Sequence, residues 1–200
     1  MDNQLSLPGD GNRYIVKSQD LKADREIINK FTVGNFIDAC VQNHAEAKRL
    51  LNLYPALRQA TWLGSENLLN FLVIENFTDG VRFCLENRFD VNVPDEELGS
   101  TPLHYACKLN YLETAKVLLE YGANPNAMSA LDDTPIHCCL CNANAEMIDL
   151  LISNGADPHY TTEQGETIFD NWPNNSEKQS RLVAVLQKHN VAKNLKRRGL

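Results

Sequence analysis

A chain of 200 residues, 43% hydrophobic and 22% charged, has enough apolar material for one core or for a short array of stacked units, which excludes a chain too polar to fold. No apolar run approaches the roughly 20 residues that cross a bilayer, and the opening "MDNQLSLPGDGNR" has neither the basic nor the apolar segment of a secretory signal, so the expectation is a cytoplasmic protein with its six cysteines reduced. The formal charge of −7 understates the acidity, because residues 188–200 hold five basic side chains and no acid and leave −12 on the other 187; this disfavours nucleic acid and membrane as partners and favours a basic protein surface.

In chain order, residues 1–30 are an N-terminal segment in which "SQDLKADREIINKF" reads as a helix able to dock on the residues after it. Residues 31–64, with "NFIDACVQNHAEAKRLLNLYP", read as two helices, the second closed by Pro55. Residues 65–97 hold "ENLLNFLVIENFTDGVRFCLENRFDVN", which lines up with the following unit at an offset of 34, so that Leu85 matches Leu119, Asp90 matches Asn124 and Asn92 matches Asn126. Asn67, Leu68 and Asn70 stand there in place of Thr101, Pro102 and His104, so the start of its first helix carries no strong signal.

Residues 98–130 and 131–163 align with each other without a gap: Thr101 and Thr134 are 33 apart, as are Gly122 and Gly155. Thr101-Pro102 and Thr134-Pro135 predict helix starts, the hydroxyl capping free N–H groups and the proline taking a first-turn place where its missing N–H costs nothing. A second helix follows a polar break in each unit, with apolar spacing of three and four through Leu112, Ala115, Leu118 and Leu119 and through Met147, Ile148, Leu150 and Leu151. Gly122 and Gly155 suit the left-handed position that ends a helix, and "ANPNA" and "ADPHY" are turns into the next unit.

Residues 164–188 keep the Gly-x-Thr but replace Pro-Leu-His with Ile168-Phe169-Asp170. Pro173 is expected to stop the first helix, Ser176 to cap the next, and Leu182, Val185 and Leu186 to give it one apolar stripe, as a terminal unit with one wet face requires. Residues 189–200 form a basic C-terminal tail without apolar periodicity, expected to be disordered.

A two-helix unit of this size cannot bury its apolar face alone, so neighbours must stack into a continuous core. The motifs "TPLHYA", "LLEYGANPNA", "TPIHCC" and "LLISNGADPH", at a period of about 33, resemble the ankyrin repeat, with about five copies over residues 31–188. The resemblance implies an all-α solenoid of stacked helix-turn-helix units joined by β-turn or hairpin-like loops. It also implies that His104 and His137 tie neighbouring turns together by hydrogen bonds. Carried over position by position, it places a partner-binding surface at the loop tips Asp95, Glu96, Glu97, Leu98, Ser100, Met128, Ala130, Leu131, Asp133, Glu163, Gln164 and Glu166, and at the inner-helix positions Ile74, Glu75, Lys108, Leu109, Cys141 and Asn142. Acids around exposed Leu98, Met128 and Leu131 have the composition of an apolar centre with an acidic rim.

"DTPIHCCLC", from Asp133 to Cys141, is the one stretch that suggests chemistry, with three thiols and an imidazole close together. A structural zinc site wants four converging ligands, usually as two separated pairs, and no second pair lies nearby. The repeat register assigns His137 a structural post and Cys139, matched to Ala106, a place in the core. No metal, no cofactor and no enzymatic activity are therefore expected; the rival readings are a thiol enzyme using Cys138 or Cys141 and a nucleic-acid contact through "KNLKRR". Trp62 and Trp172 are read as core or cap residues. The functional expectation is a protein, monomeric when free, that binds a basic partner as an inhibitor or antitoxin-like immunity protein, the alternative being an adaptor or secreted effector that recruits a host protein.

Overall fold

A computed structural model describes residues 30–62, 66–139, 144–165, 167–168 and 175–191. Within these residues the chain forms helices α1 (Lys30–Gln42), α2 (His44–Leu53), α3 (Leu68–Ile74), α4 (Thr78–Glu86), α5 (Pro102–Lys108), α6 (Leu112–Glu120), α7 (Pro135–Cys138), α8 (Ala145–Ser153) and α9 (Ser176–Lys188). A 3-10 turn at Pro55–Gln59 leads into a small antiparallel pairing of β1 (Thr61–Trp62) with β2 (Glu66–Asn67). The short α3, α5 and α7 stack as one inner row, α5 packing against both α3 and α7, while α4, α6, α8 and α9 follow one another in a second row. The fold is thus the all-α solenoid that the repeat pattern predicts.

The same backbone bonds recur from unit to unit along α3 to α8, for reasons legible in the residues. Each outer helix ends with a residue of positive φ: Arg88 (67°), Gly122 (86°), Gly155 (91°) and Asn190 (59°). At the ends of α4, α6 and α8 the following N–H reaches back five residues, from Phe89 to the Cys84 carbonyl at 3.1 Å, from Ala123 to Leu118 at 3.0 Å and from Ala156 to Leu151 at 3.0 Å. This is the Schellman closure, and it satisfies carbonyls that the helix end leaves free. Phe89, Ala123 and Ala156 are all buried beneath it. Asn76 and Asn110 end α3 and α5 in the same left-handed conformation, Phe77 and Tyr111 supplying the return bond.

The inner helices start on caps that differ in residue and agree in geometry. Thr101 and His104 form a reciprocal box in which the Thr101 N–H donates to His104 Nδ1 at 3.0 Å. A backbone N–H can only donate, so Nδ1 is the bare acceptor and Nε2 carries the proton. Nε2 therefore donates to the Asp133 carbonyl of the next unit at 3.1 Å, the tie between turns that the resemblance implies. In the unit before, Asn67 caps α3 by accepting from the Asn70 N–H at 2.8 Å, and Asn70 Nδ2 reaches the Ser100 carbonyl at 3.5 Å. The unit without Thr-Pro and His thus starts its helix in the expected place.

A continuous buried cluster runs from Val33 through Leu69, Leu103, Leu118, Ile136, Met147 and Leu151 to Val191. Each such leucine adds about 2 kcal/mol through the apolar area it removes from water. Cys139 is 1% exposed and Trp62 is buried against Phe71, both in the core. Five cysteines of the described residues are free thiols, and no three His, Cys, Asp or Glu side chains among those residues could hold a metal ion. No helix among the described residues is long and apolar enough to cross a membrane.

Three details differ from the sequence reading. Residues 31–64 read as a repeat of the array would seat α1 on the inner helix α3, yet α1 packs chiefly on α2 and the outer helix α4. Gly80 permits this approach, since a Cβ there would lie 3.3 Å from the Cys40 carbonyl oxygen. The cap of α9 is Asn175, which accepts from the Lys178 N–H at 3.0 Å; Ser176 is already the first helical residue. Order continues past the expected start of the tail: Lys188 and His189 both bond Asp149, and Val191 is 3% exposed. The expected N-terminal docking helix up to residue 29, Pro173, Trp172 and the tail from residue 192 lie outside the described residues.

Candidate partner-binding face

Three related loops follow α4, α6 and α8; Asp95 and Ser129 organise the first two with their side chains, and buried Thr162 holds the matching place in the third. In the first loop Asp95 Oδ1 accepts from the N–H groups of Glu97 and Leu98 at 2.8 and 2.6 Å, and Oδ2 accepts from the Ser100 N–H and the Tyr105 hydroxyl at 2.9 and 3.0 Å. Burial alone would raise this carboxyl, but four donors outweigh it and hold Asp95 below its usual range. Tyr105 is correspondingly raised, by burial first and by its bond to Asp95 second. In the second loop Ser129 Oγ accepts from Leu131 and Asp133 N–H groups at 3.1 and 3.3 Å. Thr162 is buried, its carbonyl accepting from the Gly165 N–H at 2.8 Å.

Adjacent tips are joined. The Ala130 N–H donates to the Leu98 carbonyl at 2.6 Å. One repeat on, the Glu163 N–H donates to Asp132 Oδ2 at 2.5 Å, and the Tyr160 hydroxyl donates to Asp132 Oδ1. Asp132 occupies the register of Gly99 and Gly165, and all three have positive φ. Aspartate is one of the few residues that tolerates this conformation, and here its carboxylate fastens the next tip. The Tyr160 hydroxyl, then the Glu163 N–H, keep Asp132 ionised below its usual range.

The structure brings most of the expected site residues onto these tips and the ends of the inner helices. Glu96, Glu97, Ala130, Glu163 and Gln164 are exposed, and so are Glu75 and Lys108 at the ends of α3 and α5. Leu98 and Leu109 are 38% exposed, Met128 58% and Leu131 59%. Ile74, Ser100 and Asp133 are half-buried, Asp133 giving its carbonyl to the Ser129 N–H and to His104. Asp95 departs from the expectation of an exposed tip acid. It is 6% exposed and spends its oxygens inside its own loop; its register match to Ser129 and Thr162, a turn-closing position, was the signal that would have placed it. Cys141, Asn142 and Glu166 lie outside the described residues.

Two features went unread in the sequence. The Asp132–Tyr160 clamp joins residues 28 apart, which no local pattern exposes. Glu66, on β2, lies within the electrostatic reach of the carboxylates of Glu75, Glu97 and Asp95, and its carboxyl is raised by burial first and by those three charges next. The inner end of the face is therefore crowded with like charge.

A family model described as ankyrin repeats, three copies, matches residues 36–129 and again 57–162. BCL-6 corepressor-like protein 1 of Homo sapiens is 42% identical over 104 residues, 51% of this chain and 6% of that protein. Rabankyrin-5 of Homo sapiens is 36% identical over 117 residues, 52% of this chain and 10% of that protein. Ankyrin repeat and SOCS box protein 11 of Mus musculus is 37% identical over 95 residues, 46% of this chain and 29% of that protein. The chain thus spans under a third of the length of each of these relatives.

Proposed function

The chain belongs to the ankyrin-repeat family, a protein-interaction fold, and from that premise we propose that it binds a basic partner protein through the face made by its loop tips and inner-helix ends. The observation that carries this reading is compositional and spatial together. Residues 93–103, 125–139 and 156–165, which form the tips, contain no lysine or arginine, while Glu96, Glu97 and Glu163 stand exposed on them. Such a field steers a cationic surface into register and raises its rate of encounter, and exposed Leu98, Met128 and Leu131 supply apolar area to keep it there.

Covering a partner is the direct consequence of such binding, so the proposed role is that of an inhibitor or antitoxin-like (immunity) protein acting in the cytoplasm, monomeric until it meets its target. Recruitment as an adaptor or effector is the second reading. It is favoured by relatives in which the similar segment is a small part of a longer protein, one of them named for a SOCS box as well as for its ankyrin repeats. Affinity capture with the wild type and with Glu97→Lys/Glu163→Lys tests the shared step: the variant is expected to lose the partner, and capture of the same protein in equal amount by both refutes the acidic face.

A further inference from the structure

Three of the large apolar side chains left exposed among the described residues, Leu98, Met128 and Leu131, sit on two adjacent tips. The backbone beneath them is held from several sides. Asp95 gathers the N–H groups of Glu97, Leu98 and Ser100, Ser129 gathers those of Leu131 and Asp133, and the Ala130 N–H bonds the Leu98 carbonyl at 2.6 Å. Two tyrosines close the arrangement, Tyr105 on Asp95 and Tyr160 on Asp132; the Tyr160 hydroxyl also lies 3.1 Å from Met128 Sδ. A tip backbone held by so many bonds has already lost the freedom that binding would otherwise cost it, and it presents its apolar side chains from a fixed frame.

The charge around this row names its occupant. Glu96 and Glu97 precede Leu98, Asp132 and Asp133 follow Leu131, and Glu163 comes next across the Asp132 bond, without a lysine or arginine on any tip. We propose that Leu98, Met128, Ala130 and Leu131 form one anchor site for an apolar side chain in a polypeptide segment flanked by lysine or arginine, with Tyr105 and Tyr160 as positioning residues that hold the site open. This rests on the reading of the face as a protein-binding surface, and narrows it from the whole face to two tips and from a basic surface to a short segment with an apolar anchor.

The probe is a displayed library of random short peptides, selected on the full-length wild-type chain, with affinities of enriched peptides measured by fluorescence anisotropy. Enriched peptides are expected to carry Leu, Ile, Met or Phe between Lys or Arg residues and to weaken as salt rises. Leu131→Ser/Met128→Ser, at positions 59% and 58% exposed, is expected to leave the thermal melt unchanged and to lose about tenfold or more in affinity. Tyr160→Phe keeps the whole contact surface and is expected to lose about threefold, through a looser tip. Peptides without the cation-flanked apolar residue, no enrichment, or affinities unmoved by the Leu131/Met128 variant overturn the anchor site. So does a concentration-dependent dimer, seen by sedimentation, that the same variant abolishes, since the occupant is then a second copy. Loss of peptide binding on Glu75→Lys but not on the tip variants also overturns the anchor while leaving the broader reading intact; that reading falls on equal capture by the charge-reversed chain.

Discussion

Residues 104 and 70 occupy the same place in successive repeats, one a histidine and the other an asparagine. His104 makes three bonds, accepting at Nδ1 within its cap and donating from Nε2 to the next turn at 3.1 Å. Asn70 performs the same reach at 3.5 Å, and its buried Oδ1 has no hydrogen-bond partner among the described residues. At the outer helix end the two repeats differ again, with Gly122 in the left-handed conformation of one and Arg88 in that of the other. The repeat of α5 and α6 satisfies its groups with residues suited to each post; the repeat of α3 and α4 meets the same demands less completely. What defines the unit is a set of backbone groups to be satisfied, and several side chains can serve each of them at different cost.

The largest expected consequence lies at those two positions. His104→Ala leaves the Thr101 N–H without its side-chain acceptor, takes from the Asp133 carbonyl one of its two donors and empties a buried site, which should cost about 3 kcal/mol; Asn70→Ala gives up one long bond and relieves an unpartnered oxygen, and should cost about 1 kcal/mol. Urea unfolding of both variants, followed by circular dichroism, measures the difference. Equal losses would mean that the histidine and the asparagine contribute alike and that the contrast between the repeats is one of sequence only.

A pH titration sharpens the contrast without altering volume. Burial lowers the pKa of His104, outweighing the carbonyls around it. The folded state therefore binds the proton less readily than the unfolded chain, so the stability tied to neutral His104 is complete above the ordinary histidine value of about 6.5 and is lost as pH falls below it. The lowered carboxyls of Asp95, Asp132 and Asp149 act in the same direction but only below the ordinary aspartate value of about 4. Urea midpoints measured between these two limits should decline for the wild type and for Asn70→Ala, and flatten for His104→Asn. A slope unchanged by His104→Asn would assign the decline to another group.

Arg88 and Gly122 allow the comparison to be exchanged. A non-glycine residue at positive φ is strained by about 1 kcal/mol, so Arg88→Gly should stabilise by about that amount and Gly122→Arg should destabilise by as much. Nothing lies within 4 Å of a Cβ built at Gly122, which leaves backbone strain as the only local cost there. Opposite and similar shifts in the urea midpoint are expected. Two shifts of one sign would show that the arginine stem contributes contacts that offset its conformation.

Most of the architecture was legible because the repeat writes its demands locally. Thr-Pro starts, glycine ends and three-four apolar spacing each report on a few neighbouring residues, and two good copies set the register for the poor one. Asp90 matched Asn124 and Asn92 matched Asn126 in sequence, and in the structure the Asn92 N–H donates to Asp90 Oδ1 as the Asn126 N–H donates to Asn124 Oδ1, at 2.9 Å in both. The first unit was less legible, because the close approach of α1 to α4, to which the absence of a side chain at Gly80 contributes, is recorded by no periodic pattern. The tips were legible in composition and opaque in geometry. An aspartate in a loop reads as an exposed acid, and only the N–H groups that converge on it reveal Asp95 as the inner brace of its tip.

The smallest effect tests whether the two repeats are joined to their successors alike. Asn92 Nδ2 donates to the Gly122 carbonyl at 3.3 Å and its Oδ1 accepts from the Asn124 N–H at 2.7 Å. Asn126 makes the same pair, to the Gly155 carbonyl and from the Asp157 N–H, both at 2.8 Å. These bonds lie at the surface, where water replaces a lost partner, so each asparagine-to-alanine change should cost only about 0.5–1 kcal/mol. Because a stacked array is held by nearest-neighbour contacts, the change should also be felt locally. In Asn92→Ala the Asn124 amide should exchange faster with solvent and the Asp157 amide should not; in Asn126→Ala the pattern should reverse. If Asn92→Ala quickens both amides, the junction after the weaker repeat governs the opening of the repeats beyond it, and the uneven satisfaction of groups within repeats is then matched by an uneven coupling between them.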